Sequence, residues 1–177
     1  MKKILIIPFL IISFFNEGIS CTCPERNSIL NEFNSKELIV SGIIVSEEVI
    51  NIIDSVALND YLKNGGTMDK NIQQRFFGRF FYKYELEIID IFKGNFTKKV
   101  IEIYTPGNSC KFNFNVGEKY IIYGHSIESS GIPEESYIRK AYPKGNDLIW
   151  TEYCSRTKIF NKKESQKLDK LSNKKSP

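Results

Sequence analysis

Tyr84-Glu85-Leu86-Glu87-Ile88-Ile89-Asp90-Ile91-Phe92-Lys93-Gly94 alternates apolar and charged residues, the period-two signature of a strand with one buried and one wet face. Tyr84, Leu86 and Ile88 make the apolar side against Lys83, Glu85 and Glu87. The phase then changes, so that Ile89 and Ile91 continue the apolar set. One extra residue in the strand, a β-bulge near Ile88, accounts for the change. The strand spans Phe80 to Phe92, and Lys93-Gly94-Asn95 turns the chain.

Further strands flank it. Leu38 to Val45 reads as one, with Gly42 marking a bend or a close backbone approach. Val100 to Thr105 follows, and Pro106-Gly107-Asn108-Ser109 forms a loop that ends at Cys110. Val116-Gly117-Glu118 leads into Tyr120 to Tyr123. Ile138 to Tyr142 and Leu148 to Tyr153 read as a hairpin around Tyr142-Pro143-Lys144-Gly145-Asn146. Five or six strands, coiled past Gly42 and the bulge, predict a small closed barrel. Ile29, Leu30 and Phe33 recur at helical spacing within 27–34, which predicts a short amphipathic helix. Between the first two strands, Val49 to Arg75 is expected as an insertion with a short helix and a mobile tip.

The start of the chain has the three parts of an export signal. Lys2 and Lys3 are charged, Ile4 to Phe15 is apolar, and Gly18-Ile19-Ser20 places small residues at −3 and −1, so cleavage is expected after Ser20. The apolar run of about 12 residues is shorter than the roughly 20 needed to cross a bilayer. Cleavage would leave Cys21 as the first residue, whose α-amine and carbonyl oxygen can both reach one metal ion. A cysteine at this place is also the attachment point of bacterial lipoproteins, whose cleavage box has Leu where this chain has Gly18.

The formal charge of +4 is unevenly distributed. Residues 21–155 carry 15 basic and 18 acidic side chains, and residues 156–177 carry eight basic and two acidic ones. The body is mildly acidic, which argues against nucleic acid as a partner, and the Lys-rich end is expected as a solvated helix or frayed tail. Four cysteines in an exported domain imply a disulfide framework. Pairing Cys21 with Cys23 makes a tight, strained ring. The other two connectivities tie the terminus to Cys110 and Cys154 across loops of roughly 90 and 130 residues, near 4 to 5 kcal/mol per closure in the chain-entropy account.

Five landmarks occur in order: Cys21-Thr22-Cys23; Asn34-Ser35 before the Leu38 strand; Tyr84 to Ile88 running into Ile91-Phe92-Lys93-Gly94; Tyr104-Thr105-Pro106 before Cys110; and Thr151-Glu152-Tyr153-Cys154-Ser155. In this the chain resembles the amino-terminal domain of the tissue inhibitors of metalloproteinases, a netrin-like module. The resemblance covers most of residues 21–156. It implies a mainly β fold, a five-stranded OB-fold Greek-key barrel with short flanking helices; the residues themselves place a signal peptide at 1–20 before this domain and a Lys-rich helix or tail at 157–177 after it. It implies the pairs Cys21–Cys110 and Cys23–Cys154.

The implied function is that of a secreted, monomeric inhibitor of zinc metalloproteases, with no cofactor of its own and no enzymatic activity. Cys21 would put its α-amine and carbonyl on the protease's zinc, at the position that otherwise holds water. Thr22 would enter the primed-side specificity pocket, Cys23 and Pro24 would continue along the cleft, and Asn108 and Ser109 would fill its other side. An α-amine titrates near about 7.7 to 8.0 and must lose its proton to ligate, so inhibition is expected to weaken in acid. Vertebrate members carry a third disulfide in this domain and a second cysteine-rich domain, whereas this chain has four cysteines and a basic end. The alternative implied by the same fold is a non-inhibitory netrin-like binding module, lipid-anchored if Cys21 is acylated.

Enzyme chemistry finds little support. His125 is the single histidine, expected at a barrel end, which leaves no Ser-His-Asp or Cys-His set. Without Cys-x-x-Cys pairs, a zinc site of its own is not indicated. Glu47-Glu48 and Glu134-Glu135 face opposite sides of any strand and are expected on the wet surface. Gly65-Gly66 lacks the Lys and Ser/Thr of a phosphate loop. Tyr82, Tyr84, Tyr120, Tyr123 and Trp150 are expected to pack the barrel rather than stack bases. Asn95-Phe96-Thr97 has the form of a glycosylation sequon.

Overall fold

The computed structural model describes residues 21, 23, 28–126, 145 and 147–174. The expected leader at 1–20, Thr22, Pro24, the Ile138–Tyr142 strand and Glu134-Glu135 lie outside the described residues. The fold is mainly β. A short helix, α1 (Ile29–Ser35), precedes β1 (Leu38–Ile53); then come α2 (Ser55–Lys63), α3 (Lys70–Ile72), a π-helical turn (Gln73–Phe77), β2 (Gly78–Lys93), β3 (Val100–Pro106), β4 (Lys119–Gly124), β5 (Leu148–Trp150), β6 (Lys158–Ile159) and α4 (Lys162–Asn173).

The strands form one six-stranded sheet in the order β5-β3-β2-β1-β4-β6. β1 is its spine: it pairs with β2 from Ile39↔Lys93 to Ile53↔Gly78, and its first residues pair on the other edge with β4. β3 and β5 run parallel, and all other pairs are antiparallel. Just past β4, His125 and Trp150 exchange backbone hydrogen bonds of 3.1 and 2.9 Å, so the end of β4 reaches the otherwise free strand β5. The two-residue β6, which pairs with Tyr120 and Ile121, is not among the strands expected from the sequence.

Period-two alternation sorts the side chains into separate cores. Val40 and Ile44 of β1, Tyr84 and Leu86 of β2, Ile101 and Ile103 of β3, Tyr120 and Ile122 of β4, and Ile149 of β5 share one cluster with Phe114. The residues of opposite phase, Ile39, Phe92, Ile121 and Tyr123, pack with Phe33 of α1 and Leu168 of α4. A third cluster joins Phe81, Tyr104, Leu148 and Trp150. The five aromatic residues therefore serve packing, with Tyr84, Tyr120 and Tyr123 almost wholly buried.

The bulge lies where the pattern places it, with a different consequence. Ser41 pairs with Asp90 and Gly42 with Ile88, which leaves Ile89 as the extra residue. Beyond it Ile89 and Ile91 do not continue the apolar set: they are 47% and 46% exposed, and Phe92 turns instead to the cluster under α1 and α4. Gly42 is the close approach predicted for it. A Cβ there would sit 2.3 Å from the Glu87 carbonyl oxygen and 2.8 Å from the Leu86 Cγ. Gly42→Ala is expected to lower stability by about 1–3 kcal/mol, the range for overpacked cores, measured as a shift in the urea midpoint at unchanged m-value.

Two expected boundaries move. Residues 49–53 belong to β1 and not to the insertion, which narrows to 54–77 between two 16-residue strands. Asp54 caps α2 by accepting from the Ala57 N–H at 3.0 Å, and its own N–H donates to the Phe77 carbonyl at 2.8 Å, which closes the base of the excursion.

Of the two forms expected for the basic end, the helix is the one found through Asn173, with its lysines exposed but one face docked rather than solvated. Asn161 caps α4 through the Glu164 N–H, Leu168 is fully buried, and Leu171 packs beside it. Glu164, itself buried, accepts from Tyr123 Oη at 2.7 Å and Arg156 Nε at 2.8 Å and pairs with Lys158. Burial alone would raise its carboxyl; the bonds from Arg156, Lys158 and Tyr123 hold it below the usual range.

Candidate functional site

The two disulfides bring the start of the domain onto two loops that are far away in sequence. Cys21 is bonded to Cys110 and Cys23 to Cys154, with Cα separations of 5.0 and 5.1 Å. These are the pairs the resemblance implies. The bonds abut, since Cys21 Sγ lies 3.5 Å from Cys154 Sγ. The sulfurs of Cys21, Cys23 and Cys154 fall within 4.8 Å of one another, a spacing that would suit a metal if they were thiolates. All four cysteines are oxidised, so the sulfurs hold position and cannot serve as thiolate ligands.

The loop after β3 is shaped by its own hydrogen bonds. Asn108 Oδ1 accepts from the Cys110 N–H at 3.0 Å, and the Asn108 carbonyl accepts from the Lys111 N–H at 3.0 Å. This Asx turn leaves Asn108 and Ser109 exposed beside the half-buried Cys21 and Cys110. Gly107 comes so close to β2 that a Cβ would meet the Phe80 carbonyl oxygen at 2.2 Å. The buried Thr105 hydroxyl accepts from the Phe112 N–H at 2.9 Å as the chain leaves the loop.

The second loop is tied to the first through the main chain. The Tyr153 N–H donates to the Cys110 carbonyl at 2.8 Å, and the Thr151 N–H donates to the Tyr104 carbonyl at 2.9 Å. Beneath Cys154, the Thr151 hydroxyl lies 2.8 Å from the Ser155 and Thr157 hydroxyls, and the Thr157 N–H donates to Ser155 Oγ at 3.2 Å. The Tyr123 carbonyl is within reach of Thr151 Oγ1 at 2.9 Å and Thr157 Oγ1 at 3.2 Å, one of which donates to it while the other bonds its neighbour. These groups are buried and satisfied, which favours one conformation of the loop.

Of the residues assigned from sequence, Cys21, Cys23, Asn108 and Ser109 are brought together. Thr22 and Pro24 lie outside the described residues. Sequence reading missed Lys111, Glu47 and Tyr82. Lys111 Nζ lies 3.1 Å above the Tyr82 ring centroid and 3.6 Å from Glu47 Oε1, and Tyr84 Oη donates to the same oxygen at 3.0 Å. The residue following Cys110 is thus anchored to the β1–β2 ribbon. Glu48, on the other face, pairs with Lys83 at 3.0 Å, so the two carboxylates do point apart but neither is merely solvated. No spacing connects Glu47 to Lys111: the β1–β2 register sets Glu47 opposite Tyr84, and the loop after β3 carries Lys111 to them.

His125 sits half-buried where β4 meets β5. Burial, aided by the charge of Lys36, lowers its pKa against the opposing pull of Glu152 and Glu37. A histidine whose folded pKa is depressed takes up its proton more readily when unfolded. Its contribution is therefore fully present above about pH 6.5 and is lost as the pH falls towards the folded value. Replacing His125 by Gln is expected to flatten the slope of unfolding free energy between pH 7 and pH 5, read from urea midpoints across that window. An unchanged slope would assign the acid sensitivity to other groups.

Compared with protein-family models and with curated proteins, the chain matches none. Among the described residues no helix is long and apolar enough to cross a membrane, and the two disulfides are compatible with an extracellular location.

Proposed function

We propose that the chain is a secreted inhibitor of zinc metalloproteases that acts through the main chain of Cys21 once the leader is removed. The observation that carries this reading is the double pinning of one short segment. Cys21 and Cys23 are each bonded to a different loop, the loops are hydrogen-bonded through Tyr153 and Cys110, and the Asn108-Ser109 turn stands exposed beside Cys21. Strand order supports an OB-type barrel: β1 pairs with β2 and β4, β3 runs parallel to β5, and His125 joins the end of β4 to Trp150. In this reading β6 and α4 are accessory.

A free α-amine and the Cys21 carbonyl would bind the target's zinc as a bidentate pair and exclude water from it. Thr22 would fill the primed-side pocket, Cys23 and Pro24 would follow the cleft, and Asn108 and Ser109 would occupy its other side. Rigidity matters because ordering a loose terminus at the moment of binding costs roughly 0.5 to 1.5 kcal/mol per immobilised side chain. Disulfides meet that cost during folding.

The test has two stages. Intact mass and amino-terminal sequencing of the exported protein establish whether it begins at a free Cys21, and titration against a panel of zinc endopeptidases then reads inhibition. Stoichiometric loss of protease activity is expected. Protein that starts at a free Cys21 and inhibits no member of the panel would refute the proposal, and an acylated Cys21 would favour a lipid-anchored binding module.

A further inference from the structure

The helices α1 and α4, which meet over the outer face of the sheet, leave between them a groove of about 510 Å³. Its lining includes the apolar Ile29, Leu30 and Leu171 and the basic Lys167, Lys170 and Lys174. Lys167 and Lys170 share one side of α4, and Lys174, its C-cap, follows at the same helical spacing. All three are exposed, and none makes an ion pair among the described residues. Arg156 also borders the groove, but its guanidinium is engaged by Glu164. Asp169 is the exposed carboxylate nearest in sequence to the three lysines, and it leaves that stretch net positive.

We propose that this groove binds a single-chain anionic amphiphile, with its hydrocarbon tail on Ile29, Leu30 and Leu171 and its head group among Lys167, Lys170 and Lys174. Lysine stems lie along apolar surface while their ammonium groups stay in water, an arrangement complementary to a ligand with one greasy and one negative end. A protein partner would need a far wider face, about 20–30 residues a side. A bilayer surface would ask for apolar side chains that project outwards. Here Leu30 is 51% exposed, but Ile29 and Leu171 are recessed.

The inference does not depend on protease inhibition and is tested separately. The disulfide-bonded protein is titrated with monododecyl phosphate below its micelle concentration, followed by methyl NMR shifts and calorimetry. Saturable one-to-one binding is expected, with the largest shifts at Leu30 and Leu171. The triple variant Lys167→Gln, Lys170→Gln, Lys174→Gln should weaken it at least tenfold, and Leu30→Ser at least threefold, with unchanged circular dichroism in each. Inorganic phosphate and dodecanol are the two half-ligand controls, and each should bind at least tenfold more weakly. Four results would overturn the proposal: no saturable binding, equal affinity for dodecanol, equal affinity for inorganic phosphate, or insensitivity to the triple variant. Retention on phosphatidylserine vesicles without binding of the free amphiphile would also overturn it, in favour of a membrane-docking face.

Discussion

A single alanine added before Cys21 is expected to raise the inhibition constant against a sensitive zinc protease by at least about 100-fold, equivalent to about 2.8 kcal/mol. The added residue turns the α-amine into an amide, whose nitrogen is not basic, and puts new atoms where the zinc must sit. Neither change touches the disulfides or the loops they hold. Unfolding free energy should therefore stay within about 0.5 kcal/mol of the unextended protein, as for other substitutions at exposed positions. The measurement pairs an inhibition titration with a urea melt on the same preparation. Inhibition of undiminished strength by the extended protein would eliminate chelation through Cys21, whatever else the chain does.

Removing the Cys23–Cys154 bond by replacing both cysteines with serine is expected to cost up to about 4 kcal/mol. Taken alone, its 131-residue separation predicts about 5 kcal/mol of loop-closure entropy, and the 89-residue separation of Cys21–Cys110 about 4.6 kcal/mol. The two are not independent. With Cys21 and Cys110 already joined, Cys23 reaches Cys154 through only 2 residues on one side and 44 on the other, which lowers the second closure to about 4 kcal/mol. Removing both bonds should then cost about 8.6 kcal/mol, comparable to the whole stability of a typical domain, and leave the chain unfolded at 37 °C. Urea unfolding of the two variants beside the unaltered protein measures this. A variant lacking both bonds that stays folded with less than half of that loss would show that the sheet does not depend on its sulfur bonds.

Most of the sheet is legible in the sequence because period two is a strong signal over a long strand. Tyr84, Leu86 and Ile88 announce an inward face, and Gly42 announces a crowded one. The same signal fails at Ile89 and Ile91. Past a bulge, alternation says that neighbouring side chains oppose each other, but not which face is covered; that depends on α1 and α4, which shield Phe92 and leave the isoleucines wet.

The basic end shows the opposite balance. Asn161, three residues before Glu164, is a capping pattern, and Leu168 and Leu171 are spaced for one helix face. Six lysines from Lys162 to Lys175 mask it, because composition says surface while two leucines decide where the helix lies. In the candidate site, the cysteines and the Asn108-Ser109 turn can be found from sequence. Lys111 over Tyr82 and beside Glu47 cannot, because the contact joins a loop residue after β3 to side chains on β1 and β2 that are distant in sequence.

The spine role of β1 also sets an order of folding. Its hairpin with β2 closes over residues 54–77, whereas its other edge waits for β4, with Leu38 opposite Gly124. Distant pairings form slowly because their chain entropy is lost before contacts repay it. The sulfur bonds reach further still and need the loops after β3 and β5 in place. Cys21 is thus joined to its distant loop only late, and until the sheet is complete its thiol remains open to exchange.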